Sequence, residues 1–198
     1  AAPAVRSPTR PAALAAVVRT GPAPTATAQS APPTLAGRWQ TFANGNNVLA
    51  LAWDDGVLWA GTHAGGLVRW DTATGDQRQF LAPQVPIGAN TVFDIAIDAA
   101  GRLWLATPGG LTIFDDRGDA DPANDFWFTY TTETGLGMPS QEVRAVAVDG
   151  PRVWIGGVQS QDVATGAWSG GGLGRVDTAG TEAPDDDVWA PVSTFAST

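Results

Sequence analysis

One unit recurs three times along the chain, and few folds can accommodate it. Val48 to Asp71 alternates small and large apolar residues, breaks at Asp54-Asp55-Gly56 and resumes as Val57-Leu58-Trp59-Ala60-Gly61-Thr62. It breaks again at Gly65-Gly66 and closes with Leu67 to Asp71. The same order returns as Val92–Asp98, Leu103–Thr107, Gly109-Gly110 and Leu111–Asp115. It returns once more as Val143–Asp149, Val153–Gly157, Gly171-Gly172 and Leu173–Asp177. Residues 158–169 intrude before the last Gly-Gly.

An aromatic-led segment completes each unit. It reads Trp127-Phe128-Thr129-Tyr130 after the second copy, Trp189 to Phe195 after the third and a weaker Gln79-Phe80-Leu81 after the first. Trp39-Gln40-Thr41-Phe42 is a further segment of this kind ahead of the first copy. Four short strands joined by polar turns predict antiparallel hairpins. Trp59, Trp104 and Trp154 stand 45 and 50 residues apart, a spacing that suits propeller blades of four strands. Helical repeats of similar length fail because Pro and Gly interrupt every long run. A two-layer sandwich would not demand one Trp, one Gly-Gly break and one Asp at matching points of each unit. The expected fold is therefore all-β, with blades at about 48–81, 92–131 and 143–195 and an outer strand at 39–42. Three blades cannot close a ring, since propellers use roughly four to eight. Closure is expected from further repeats beyond Thr198 or from other subunits.

Composition bounds the rest. Of 198 residues, 43% are apolar, enough for one sizeable core, and 24 Gly with 15 Pro favour turns over helices. Residues 1–38 are rich in Ala, Pro and Thr, with seven of those prolines. Proline lacks a donor and fixes φ, so this segment is expected to be an extended linker or arm ahead of the blade region at 39–198. Residues 1–53 hold four Arg and no acid, whereas residues 54–198 hold seven Arg against 20 acids. An acidic body argues against nucleic acid as a partner. There is no Cys, hence no disulfide framework or thiolate metal site. The run Ala12–Val18 falls well short of the ~20 residues that span a bilayer. The Ala-Ala start would suit the mature side of a signal-peptidase cut.

These motifs resemble a known family, the two-component regulator propeller repeat. The resemblance lies in the W-x-x-F/Y outer strand, a V-x-x-[ILV]-x-x-D strand, then L-W-[IVL]-[GA]-T, G-G-L and a closing hydrophobic-Asp. Thr134-Gly135-Leu136-Gly137-Met138-Pro139-Ser140 is similar to the family's glycine-leucine-proline turn with a Gly inserted. Copy three departs from the pattern, with Gly157 in place of the Thr. The resemblance implies an extracytoplasmic sensor propeller of a kind usually fused to kinases. Only the propeller part of that description transfers to this sequence.

Several residues invite a chemical reading. The three repeated Trp residues could stack on a sugar, but a residue demanded once per repeat is better read as packing between blades. Asp54, Asp98 and Asp149 fall at turns, where Asp bonds its own backbone. Asp115, Asp116, Asp119, Asp121, Asn124 and Asp125 place six oxygen-bearing side chains in eleven residues. That composition suits a Ca²⁺ loop, although its spacing is not that of an EF-hand; a solvated acidic loop is the simpler reading. Arg117-Gly118-Asp119 matches a short integrin-type string. His63, the one histidine, has no second His or Cys to complete a metal site or dyad. The turns holding His63, Gly65, Gly66, Gly109 and Gly110 are candidate ligand loops.

The expected function is a non-catalytic, extracytoplasmic module that binds a protein partner or small ligand, including a glycan, or serves as a scaffold in a surface assembly. The alternatives are a propeller-type lyase or hydrolase using a bound metal and His63, and a structural subunit completed by its neighbours.

Overall fold

The structure, a computed structural model, describes residues 47–119, 121–135, 137–161, 164–181 and 183–193. The chain divides into two units, Ala1–Ala36 and Gly37–Thr198, and every described residue lies in the second. The arm at 1–38, the outer strand at Trp39–Phe42, Leu136 and Phe195 fall outside the described residues.

Among the described residues there are twelve strands and no helix. They form three sheets, each a four-stranded antiparallel meander. The first comprises β1 (Val48–Asp54), β2 (Val57–Thr62), β3 (Leu67–Asp71) and β4 (Gln77–Phe80). The second comprises β5 (Asp94–Ile97), β6 (Leu103–Thr107), β7 (Gly110–Asp115) and β8 (Phe126–Tyr130). The third comprises β9 (Val143–Asp149), β10 (Arg152–Gln161), β11 (Trp168–Asp177) and β12 (Val188–Ser193). The first strands lie beside one another, β1 next to β5 and β5 next to β9. The sheets thus radiate from a common inner edge as propeller blades, and the array stays open.

Strand pleat decides which neighbour each side chain meets, because successive residues point to opposite faces. On β6, Leu103 and Leu105 face the first blade, whereas Trp104 and Ala106 face the third. The interface between blades one and two contains Trp59, Leu67 and Phe80 from one side and Leu103, Leu105 and Phe114 from the other. Trp59 meets Phe114 edge-on at 5.5 Å between centroids, and Phe114 stacks on Trp127 at 4.1 Å. Between blades two and three lie Trp104, Ile113 and Tyr130 against Val153, Ile155 and Val176. The middle blade is covered on both sides, and β6 and β7 are buried along their whole length.

Turn chemistry keeps the strands in register. Asp55-Gly56 forms a two-residue hairpin turn between the paired Asp54 and Val57. Gly110 has φ of 132°, and a Cβ there would stand 2.0 Å from the Tyr130 carbonyl oxygen, so no other residue fits. This accounts for one of the recurrent Gly-Gly breaks.

The structure departs from the sequence reading at two points. The insertion does not form a loop throughout: residues 158–161 and 168–169 belong to β10 and β11, which reach ten residues each. Trp154 is only half-buried, because the pleat directs it to the face of blade three away from blade two, where Trp59 and Trp104 each have a neighbour.

Polar ties reinforce the second interface. Asp98 accepts from Trp104 Nε1 at 3.0 Å and from Arg102 Nε at 2.7 Å. Arg102 Nη1 reaches across to the Thr181 carbonyl at 2.5 Å, and the Tyr130 hydroxyl donates to Asp187. Burial raises the Asp187 carboxyl from 3.8 to about 6, partly offset by the Arg102 guanidinium. A carboxyl held above its unfolded value binds its proton more tightly in the folded state. Its contribution to stability is full below about pH 4 and is lost as pH rises through about 6. The difference in Tm between the wild type and Asp187→Asn is therefore expected to change across that window and to be flat above it. A difference that stays constant from pH 4 to 7 would contradict this assignment.

Candidate functional site

A groove of about 630 Å³ opens between blades two and three, lined by Pro108, Thr132, Pro139, Ser140, Gln141, Glu142, Val158, Gln159 and Gly170. It lies at the end of the sheets that holds the second-to-third-strand turns and the connections into β5 and β9. Three segments build it: the β6–β7 turn, the β8–β9 connection and the lengthened β10–β11 hairpin.

Missing side chains on the hairpin make room for the β8–β9 connection. A Cβ on Gly174 would stand 2.6 Å from Pro139 Cδ, and one on Gly157 would stand 2.7 Å from Ser140 Cβ. Pro139 and Ser140 thus seat on a glycine-lined surface that admits little else. Hydrogen bonds then hold the seat. Ser140 Oγ donates to the Val158 carbonyl at 2.7 Å, and Val158 N–H donates to the Glu142 carbonyl at 3.0 Å. The Gln141 amide donates to the Gly109 carbonyl on blade two, while its oxygen accepts from Thr132 N–H at 2.9 Å. Glu142 pairs with Arg144, whose guanidinium lies 4.0 Å from the centre of the Phe93 ring. The walls are therefore prearranged, and Gln159 stands on the face of β10 that looks across the groove. Trp168 occupies the same face of the hairpin near its tip and is 56% exposed.

The residues singled out in the sequence fall in several places. His63 is exposed in the β2–β3 turn, its N–H donating to the Asn47 carbonyl at 2.9 Å. The Gly65 carbonyl accepts from Gln79 Nε2 at 2.7 Å, and Gly66 packs beneath the Phe80 carbonyl. Gly109 touches the groove region through its bond with Gln141, and Gly110 serves the turn. The groove's own side chains, Thr132, Gln141 and Gln159, carried no sequence signal beyond their place in connections and in the insertion.

The acidic loop lies elsewhere, between β7 and β8. Asp115, Asp116, Asp119 and Asp121 each accept from a backbone N–H two residues on, at 2.7 to 3.0 Å. Asn124 donates to Asp119 at 2.9 Å, which with the Asp121 N–H holds the Asp119 carboxyl below its usual range. Asp116 faces Arg69 at 3.7 Å and Asp125 faces Arg78 at 3.2 Å, both across to blade one. Asp115 pairs with Arg117 at 3.4 Å. Burial raises the Asp125 carboxyl despite Arg78. Among the described residues, no three His, Asp or Glu side chains converge as a metal site would require. The loop spends its carboxylates on its own turns and on tying blade two to blade one.

Comparison with known proteins agrees with the blade architecture. No curated protein matches the chain. The extracellular domain of a hybrid two component system from B. thetaiotaomicron superposes with a TM-score of 0.50 at 18% identity, over 64% of this chain and 18% of that one. PorZ, described as an essential bacterial surface component of the type-IX secretion system of Porphyromonas gingivalis, superposes with a TM-score of 0.53 at 23% identity. That match covers 72% of this chain and 20% of PorZ, so the chain spans about a fifth of the length of either structure. A family model described as two component regulator propeller matches residues 86–109, which run from the approach to β5 into the β6–β7 turn. Residues 86–109 thus match a two component regulator propeller repeat, within a fold built of β-propeller blades.

Proposed function

We propose that the chain is a non-catalytic, extracytoplasmic propeller module that binds a protein segment or a small ligand, glycans included, in the groove between its second and third blades. The groove itself carries this reading. Its walls are locked by hydrogen bonds before any ligand arrives, so little ordering cost remains to be met on binding. Thr132 and Gln159 offer neutral hydrogen-bonding groups beside the apolar rings of Pro108 and Pro139, a mixture suited to recognition. Glu142, the carboxylate lining the groove, is engaged by Arg144, and His63 lies on blade one away from it. The extracellular setting of the sensor domain and the surface role of PorZ support an extracytoplasmic location.

Trp168 supplies the readout. Titration with a panel of oligosaccharides and extended peptides is expected to change its fluorescence saturably for one class. Gln159→Ala should weaken that binding by about tenfold, or about 1.4 kcal/mol, with Tm unchanged. Binding indifferent to Gln159→Ala would remove the groove from the argument. A catalysed turnover abolished by His63→Ala would replace the binding module with an enzyme.

A further inference from the structure

The β10–β11 hairpin reaches past the strand beside it. In blade one, β2 ends at Thr62, opposite the first residue of β1. In blade two, β6 ends at Thr107, one residue past Ala106, the partner of the first residue of β5. In blade three, β9 starts at Val143 opposite Gly157, but β10 runs on to Gln161. At ~3.4 Å per residue, the residues beyond Val158 carry the strand about 10 Å further.

Hydrogen bonds on the β9 side set the direction of the backbone groups along this extension. Val158 N–H donates to the Glu142 carbonyl at 3.0 Å, and the Val158 carbonyl accepts from Ser140 Oγ at 2.7 Å. Both groups of Val158 therefore point to the β9 side. In an antiparallel ladder these directions alternate, so Ser160, two residues on, presents its N–H and C=O to that same side. Gln159 and Gln161 turn theirs to β11, where Gly170 and Trp168 stand opposite. Among the described residues, pairing along the β9 side stops at Val158 with Glu142. Natural edge strands are often blunted by a charge or a proline; Gln159-Ser160-Gln161 has neither.

We infer that an extended polypeptide segment of a partner protein adds as a strand to the edge of β10 at Gln159–Gln161, taking up the line that β9 leaves. The occupant follows from continuity with the β9–β10 ladder. A donor and an acceptor spaced as one residue's N–H and C=O are matched by the backbone of another extended chain. Residues of the added strand opposite Gln159 and Gln161 send their side chains to the face that carries Gln159 and Trp168, over the groove and its Pro108 and Pro139. Backbone pairing supplies attachment, and the groove selects among side chains. This inference rests on the groove being a binding site and names its ligand as polypeptide, not sugar.

A random heptapeptide library displayed on phage and selected against the 198-residue chain is expected to yield binders. Synthesised with a fluorescent label, they are titrated by anisotropy. Each is then made in two forms, N-methylated on one or the other set of alternate residues. Only one set can face β10, so one form should bind at least about tenfold more weakly than the other. Ser160→Pro removes the edge donor while leaving Gln159 and Gln161 paired with β11, and it should weaken the parent peptide by a similar factor. Circular dichroism checks the strands of this variant; if it fails to fold, the N-methylated pair decides. Equal affinity of the two forms overturns strand addition, as do binders that all ignore a folded Ser160→Pro protein. Saturable binding of an oligosaccharide, lost in Gln159→Ala, with no peptide selected also overturns it but leaves the groove reading standing. Binding of neither class removes both.

Discussion

Trp104→Ala lowers the free energy of unfolding by about 3–5 kcal/mol, the range for emptying a large aromatic from a packed core. Trp104 has no exposed surface, and it packs in the cluster that joins blades two and three. Its removal leaves a cavity that the flanking sheets cannot collapse to fill, because their spacing is set by Ile113, Tyr130 and Ile155 around it. It also strips Asp98 of its indole donor. Chemical denaturation followed by far-ultraviolet circular dichroism measures the change. Trp154→Ala serves as the internal comparison: it occupies the matching position on the half-buried open face, and it should cost markedly less in the monomer. Equal losses at the two positions would contradict the assignment of Trp104 to an inter-blade core.

Asp98→Ala is the second large effect, expected at about 3–5 kcal/mol, the cost of breaking a buried ion pair from one side. Both partners are nearly enclosed, with side-chain exposures of 6% for Asp98 and 8% for Arg102. The carboxylate accepts from Arg102 Nε, Trp104 Nε1 and the backbone N–H groups of Ala100 and Arg102. Its loss leaves the guanidinium buried with, among the described residues, the Thr181 carbonyl to accept from it. Asp98→Asn keeps the shape and some acceptors, so it should fall between the wild type and Asp98→Ala. Urea denaturation of the three proteins measures the order. An Asp98→Ala protein within 1 kcal/mol of the wild type would show that the network adds little to the interface.

Asp98 also marks how far the sequence could be read. Its place at a hairpin turn was legible, and turn chemistry explained it: the carboxylate does bond the Ala100 N–H two residues on. That it also anchors Trp104 and a buried arginine was not legible, since no local pattern tells which side of a turn is covered by another blade. The acidic run from Asp115 to Asp125 shows the same limit. Its composition suggested a cation, but no local pattern showed that Asp116 and Asp125 meet Arg69 and Arg78, Arg78 standing 47 residues before Asp125 in the chain. The groove was less legible still. It depends on Pro139 and Ser140 meeting Gly157 and Gly174, a match of shapes between segments that no periodicity records.

By itself, the sequence determined the repeating unit: alternation set each strand's two faces, Asp and Gly set the turns, and a recurrent Trp marked a heavy apolar side in every blade. Such patterns are local, and the pleat turns them directly into strands and hairpins. Tertiary structure alone decided which of those Trp faces is covered, which arginine each carboxylate meets, and where a groove opens. Those outcomes depend on residues brought together from distant parts of the chain, and their energies come from desolvation and fit that exist only once blades pack.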